Sequence, residues 1–298
     1  MGYGSWSARS YADYATAASL STKSVHQVFE KRTIQRSLDP KNVIIRESCD
    51  SVEHPESTPI VLGLDVTGSM GIYAHEIAVT HLPKLMNGIL ETVKDPHIMF
   101  MGIDDVHANS SAPLQVSQFE TDIKIVEQLR DIFLVGGGGG NHSESYDLTW
   151  WFAANKTKTD SFDNRGKQGF LFTFGDEQAP YQTMTIRDFE SVFGSGQYCD
   201  MLPTDMLKQA QEKYQVFHVV IEQGNHYRSF GDSVRKTWTE MLGNNVLFLK
   251  DSAYLSDLVL ATIEIANGKD INRAINDSIC PEILTHAFSN SLGDLCLD

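Results

Sequence analysis

The stretch Pro59–Glu76, PIVLGLDVTGSMGIYAHE, decides the fold. Ile60–Leu64 is a short apolar run of the kind found in strands covered on both faces. It ends in Asp65. Thr67 and Ser69 follow at alternate positions, and a helix is predicted after Gly71. One carboxylate and two hydroxyls thus stand at the mouth of a buried strand.

The same alternation recurs along the chain. IYAHEIAVTHLPKLMNGILETV places Leu82, Leu85, Met86, Ile89, Leu90 and Val93 on one helical stripe. Pro83 should kink that helix or open a second segment. Strands are expected at 97–105, 169–177, 216–222 and in NVLFLKD. Helices are expected in IKIVEQLRDIFL, ESYDLTWWFAAN, PTDMLKQAQEKY, DSVRKTWTEML and AYLSDLVLATIEIANG. PLQVSQFET alternates and reads as an antiparallel edge strand. Strand and helix taking turns in this way imply an α/β fold: a doubly wound, mostly parallel central sheet with helices on both faces, Rossmann-like in outline.

Residues 1–58 read as an N-terminal arm and linker, 59–268 as the α/β domain, and 269–298 as a C-terminal tail in which PEILTHAF forms a short helix. The arm's tyrosines and Trp6 are unusual for a disordered segment. They suit either a docking surface or an arm packed on its own domain. The formal charge of −15 over 298 residues, with no basic run, excludes a general nucleic-acid binder. No apolar stretch reaches the ~18 residues of a membrane span, and no signal-peptide apolar region is present. The four cysteines are scattered without a C-x-x-C pair, so a reducing compartment is expected: cytoplasm, or a virion or other particle assembled inside a cell.

In open α/β sheets, ligands bind outside the carboxyl ends of the strands. Three features fall at that edge: Asp65-Val-Thr67-Gly-Ser69, the glycine run 136–140 ending at Asn141, and Phe174-Gly-Asp176-Glu177. Each alone is ordinary turn and cap chemistry. Together they offer the oxygen ligands that hard divalent cations prefer. Hydroxyls are weak ligands and leave much of the ion's charge unneutralised, so such an ion can accept a carboxylate from another molecule. Asp104-Asp105 reads as a solvated strand end or as a source of outer-sphere partners. His142 reads as a solvated loop residue, Trp150-Trp151 as helix packing, and Glu144 and Glu177 as holders of first-shell waters.

DVTGSM resembles the D-x-S/T-x-S motif that begins the metal-ion-dependent adhesion site of von Willebrand factor A domains. The resemblance spans Ile60 to about Gly268. It implies a domain that captures a protein partner's Asp or Glu through Mg²⁺, Mn²⁺ or Ca²⁺, without catalysis. It implies metal ligands at Asp65, Thr67 and Ser69. The family's second contribution is usually a Thr. Here GGGNHSE is similar to a G-G-G-D-x-x-E variant, which puts Asn141 in the middle place with Ser143 as a competitor. The last ligand is an Asp after the next strand, here Asp176, with Gly before it rather than after.

Two alternatives remain. DVTGS also resembles the D-K-T-G-T motif of P-type ATPases and haloacid dehalogenases, which implies an aspartyl-phosphate phosphohydrolase. Asp65 would then be the nucleophile, Thr67 a phosphate contact, Asp176 a metal ligand and Lys167 a neutralising cation. Val replaces the motif's Lys after Asp65, and the later signature is reduced to FGDE. The other alternative is a purely structural assembly subunit. A P-loop is excluded, because no Lys-Ser/Thr follows the glycines and the next helix opens with Glu144.

Overall fold

A computed structural model describes residues 4–68, 70–136 and 140–295. Among the described residues there are eight strands: β1 (Arg46–Ser48), β2 (Thr58–Asp65), β3 (Pro96–Ile103), β4 (Leu114–Val116), β5 (Thr157–Thr159), β6 (Gly169–Gly175), β7 (Tyr214–Ile221) and β8 (Val246–Leu249). Six of them form one sheet in the order β4-β3-β2-β6-β7-β8, and β1 pairs with β5 in a separate small ribbon. Every pairing in the large sheet is parallel except β3 with β4. The PLQVSQFET segment is therefore the antiparallel edge strand that its alternation predicts.

Why β2 reads as an unbroken apolar run is visible in its packing. Ile60, Leu62 and Leu64 enter one core, with Phe170, Phe172, Phe174 and the helices Leu82–Thr92 and Leu255–Ala266. Val61 enters the other, with Leu171, Val216 and the helices Tyr146–Asn155, Pro203–Lys213 and Asn225–Leu242. Successive side chains of a strand point to opposite faces, so a strand covered on both faces must be apolar at every position. Burying each such Leu, Ile or Phe contributes about 1.5–3 kcal/mol.

The N-terminal stretch is packed, not extended into solvent. Trp6, Tyr11, Leu20, Val28, Phe29 and Leu38 are buried in the first core. Of the two uses open to its aromatic residues, these side chains serve packing on the chain's own domain. From the tail, Leu284, Ala287 and Phe288 join the same core, and the PEILTHAF segment is helical over Pro281–Ala287. Among the described residues, no helix is long and apolar enough to cross a membrane.

Pro83 does open a second segment. A helix over Gly71–Glu76 passes into a π turn at Ile77–His81, and a second helix runs over Leu82–Thr92 with Pro83 in its first turn. Because that helix runs on from the π turn, the missing proline N–H leaves carbonyls of the preceding turn short of a main-chain donor.

The topology fixes where a site can form. The chain leaves β2 for β3 on one side and later returns to β6 on the other, so connections diverge at the carboxyl end of β2. Such a switch point opens a crevice. Leu64 is level with Phe174, and Asp65 with Ile103. Asp65, Asp104 and Asp176 therefore emerge at the ends of three adjacent strands.

Candidate functional site at the carboxyl edge

Asp65 is buried, and three donors hold it. Oδ1 accepts from the Thr67 backbone N–H at 2.9 Å and the Thr67 hydroxyl at 2.6 Å. Oδ2 accepts from the Tyr146 hydroxyl at 3.1 Å. Burial, with the charge of Asp176 adding to it, still pushes this carboxyl upward against those donors. Asp176 is fully buried, and its Oδ2 accepts from the backbone N–H of His226 at 2.8 Å. The chain approaches Asp176 so closely at Gly224 that any Cβ there would overlap the carboxylate. Gly175 is likewise confined, since a Cβ would overlap the Tyr146 hydroxyl.

More carboxylates crowd around this pair. Glu144 is buried, and its Oε2 has no hydrogen-bond partner. Burial and then the charges of Asp65, Asp104, Asp105 and Glu177 raise it far above the usual range. Glu177 is pushed up to about 8 by burial, then by Asp176, Asp65 and Asp105. Its Oε2 stands 3.1 Å from Nδ1 of His226, without the alignment of a hydrogen bond. None of the charges acting most strongly on Asp65, Glu144 and Glu177 is a lysine or arginine.

Asp104 and Asp105 are not a solvated strand end. Both are buried. Asp104 accepts from the Ser110 hydroxyl at 2.5 Å, and Asp105 from the Ser145 hydroxyl at 3.1 Å and the backbone of His107 at 3.0 Å. Their loop folds back under the start of the Tyr146–Asn155 helix, and this backbone course is what removes them from water.

The residues expected to bind an ion fall into three groups. Asp65, Thr67 and Asp176 are brought together at one end of β2 and β6. Ser69 lies outside the described residues, as does part of the glycine run. Asn141 donates its amide nitrogen to Asp105 Oδ2 at 2.6 Å. Ser143 donates to the Gln178 carbonyl at 3.3 Å. Of the middle segment's side chains, Glu144 is the one whose carboxyl responds to Asp65. His142 is an exposed loop residue, as expected, and its ring lies 4.8 Å from Phe230 and 5.2 Å from His226. Trp150 and Trp151 pack in the second core, as helix packing requires.

Lys167, the cation of the phosphohydrolase reading, precedes β6 and lines a cleft with Lys94 and Arg165. That is the amino end of the sheet. Asp176 follows the other end of β6, roughly 20 Å of strand away. Lys167 is therefore not placed to neutralise a phosphate at Asp65.

Tyr146 was invisible in the sequence as a site residue. Its partner is 81 positions away, and a tyrosine opening an apolar helix carries no local sign of that contact.

The donor set fits a hard cation. Among the described residues, no three His, Cys, Asp or Glu side chains converge into a metal site by themselves. An ion here would draw on Asp65, the Thr67 hydroxyl, Asp176 and water, which suits Mg²⁺ or Mn²⁺ and not a thiolate- or imidazole-seeking metal.

No protein-family model matches the chain, and no curated protein matches it. Solved structures similar to it include the pilus adhesin SpaC of Lactobacillus rhamnosus GG in an open conformation. That match has 10% identity and a TM-score of 0.46 over 70% of this chain and 30% of the adhesin. Proximal thread matrix protein 1 of the mussel byssus matches with 14% identity and a TM-score of 0.44 over 73% of this chain and 48% of that one. The SpRpn10 VWA domain matches with 12% identity and a TM-score of 0.35 over 68% of this chain and 94% of that one. The chain thus spans about a third of the adhesin's length.

Proposed function

We propose that this chain is a protein-interaction module of the von Willebrand factor A type, which captures an Asp or Glu of a partner protein through a divalent cation. Asp65, Thr67 and Asp176 hold the ion directly or through water, with Ser69 completing the loop's contribution and Asn141 or Glu144 serving from the middle segment. Binding, without catalysis, is the activity.

One observation carries the reading. Asp65 and Asp176 are both buried at adjacent strand ends, the charge of one raises the other, and an unpartnered buried Glu144 stands beside them. Isolated buried charge is costly unless it is paired or coordinates a metal. A bound divalent ion supplies the missing positive charge and a Lewis-acidic position for an incoming carboxylate.

Calorimetric titration of Mn²⁺ into the wild-type chain, Asp176→Asn and Ser69→Ala tests the ion. Wild type is expected to bind one ion, Asp176→Asn none, and Ser69→Ala more weakly. Identical isotherms for all three would end the assignment. Capture of partners from a native extract is expected to require Mg²⁺ and to fail with EDTA or with Asp176→Asn. Capture that ignores the chelator would leave the ion without a role.

A further inference from the structure

The N-terminal segment meets the helix leading out of the Asp65 loop at an irregular turn. In the π turn Ile77–His81, the Leu82 backbone N–H donates to Ile77 O, one residue farther back than in an α-helix. Ala78 O thereby loses its α-helical donor. The next amide along is Pro83, which has none. Val79 O is affected too, because its own α-helical donor would be Pro83. Ala78 O thus has no main-chain donor at the α or the π spacing and Val79 O none at the α spacing, which leaves both open to an outside group.

Tyr11 is that group. Its hydroxyl lies 2.9 Å from Val79 O and 3.2 Å from Ala78 O, so one proton is shared across both. The side chain is buried, and it projects from the Ala8–Ala17 helix, which Ser7 caps by accepting from Ser10 N–H at 3.0 Å. Trp6 braces the same segment by donating to Asn87 Oδ1 at 3.1 Å on the Leu82–Thr92 helix. Farther along, a His75 ring nitrogen lies 3.1 Å from Lys23 O. On the opposite side, the Ser256 hydroxyl donates to His81 O at 3.1 Å.

We infer that the N-terminal segment is a strap whose Tyr11 hydroxyl replaces the N–H that Pro83 lacks, and so holds the π turn and the Gly71–Glu76 helix in place. An unmet buried carbonyl costs far more than a typical hydrogen bond gains. When Tyr11 withdraws, Ala78 O and Val79 O must reach water, and the turn opens. The Gly71–Glu76 helix is continuous with the corner where Met70 N–H donates to Thr67 O at 3.1 Å. Release of the strap therefore loosens the loop that carries Asp65 and Thr67, and gives the N-terminal segment control over that loop's order.

A double-mutant cycle tests this with no cation present, in EDTA, so its outcome is separate from that of the metal proposal. Amide exchange and urea unfolding are measured for wild type, Tyr11→Phe, Pro83→Ala and the double variant. Tyr11→Phe is expected to speed exchange over residues 71–82 roughly tenfold, as loss of one buried hydrogen bond implies, while the central strands are unchanged. Pro83→Ala restores a donor to Val79 O, so in that background the same change is expected to shift exchange less than about twofold. An equal effect of Tyr11→Phe in both backgrounds, or none in either, would overturn the inference.

Discussion

Replacing Asp65 by Asn is expected to stabilise the cation-free protein while abolishing its response to metal. The substitution keeps the shape of the side chain. Its Oδ1 still accepts from the Thr67 N–H and hydroxyl, and the Tyr146 hydroxyl turns to accept from the new amide, since a phenol can do either. What is lost is the buried charge. Burial, with Asp176 adding to it, moves the Asp65 carboxyl from 3.8 up to about 7. A group whose pKa is raised on folding contributes no penalty below its unfolded value, and it costs stability progressively as pH rises through its folded value. The full cost above pH 7 is the difference of about 3 units multiplied by about 1.36 kcal/mol, or at most about 4 kcal/mol. At pH 5 only the interval from 3.8 to 5 counts, leaving about 1–2 kcal/mol. Urea unfolding in EDTA should therefore find Asp65→Asn more stable than wild type by about 2–4 kcal/mol at pH 8, with the advantage shrinking towards pH 4. Mg²⁺ should close the gap and offset it fully at about 1,000 times its Kd, because an ion at that excess stabilises wild type alone by about 4.1 kcal/mol. A variant less stable than wild type at pH 8 in chelator would refute the reasoning, as would a gain that does not change with pH.

Other outcomes follow from the same geometry. Tyr146→Phe removes a donor from a buried carboxylate and should destabilise the protein by about 1–3 kcal/mol at pH 8, measured by urea unfolding. In an Asp65→Asn background the loss should persist, since the hydroxyl there accepts from the amide, but it should no longer vary with pH. Gly224→Ala forces a Cβ into Asp176 and should cost about 1–3 kcal/mol while lowering Mn²⁺ affinity; unchanged affinity would mean that Asp176 does not need its present position. Glu144→Gln replaces a carboxyl that must take up a proton to be buried, and should raise the melting temperature of the cation-free protein at pH 8.

How far the sequence carries depends on the range of each interaction. Ile60–Leu64 announces a strand because a two-sided environment requires apolar residues at successive positions, which is a local signature. The alternating order of elements then sets a parallel sheet, since parallel neighbours need crossover helices. The positions of Asp65, Thr67 and Asp176 at the carboxyl edge follow from those two facts. Pro83 announces a break in its helix, because its missing N–H acts within one turn.

The tertiary structure decided what depends on distant partners. Nothing around Asp104-Asp105 foretells burial, because the backbone's return beneath the Tyr146–Asn155 helix is what takes those carboxylates out of water. Asn141 turns its amide to Asp105 and Glu144 meets the charge of Asp65, a choice between side chains three residues apart that only the course of their loop could make. Tyr146 on Asp65 and Tyr11 on Val79 join residues 81 and 68 positions apart. Apolar periodicity records which face of an element is covered, whereas a hydroxyl finds its acceptor only after the elements have packed.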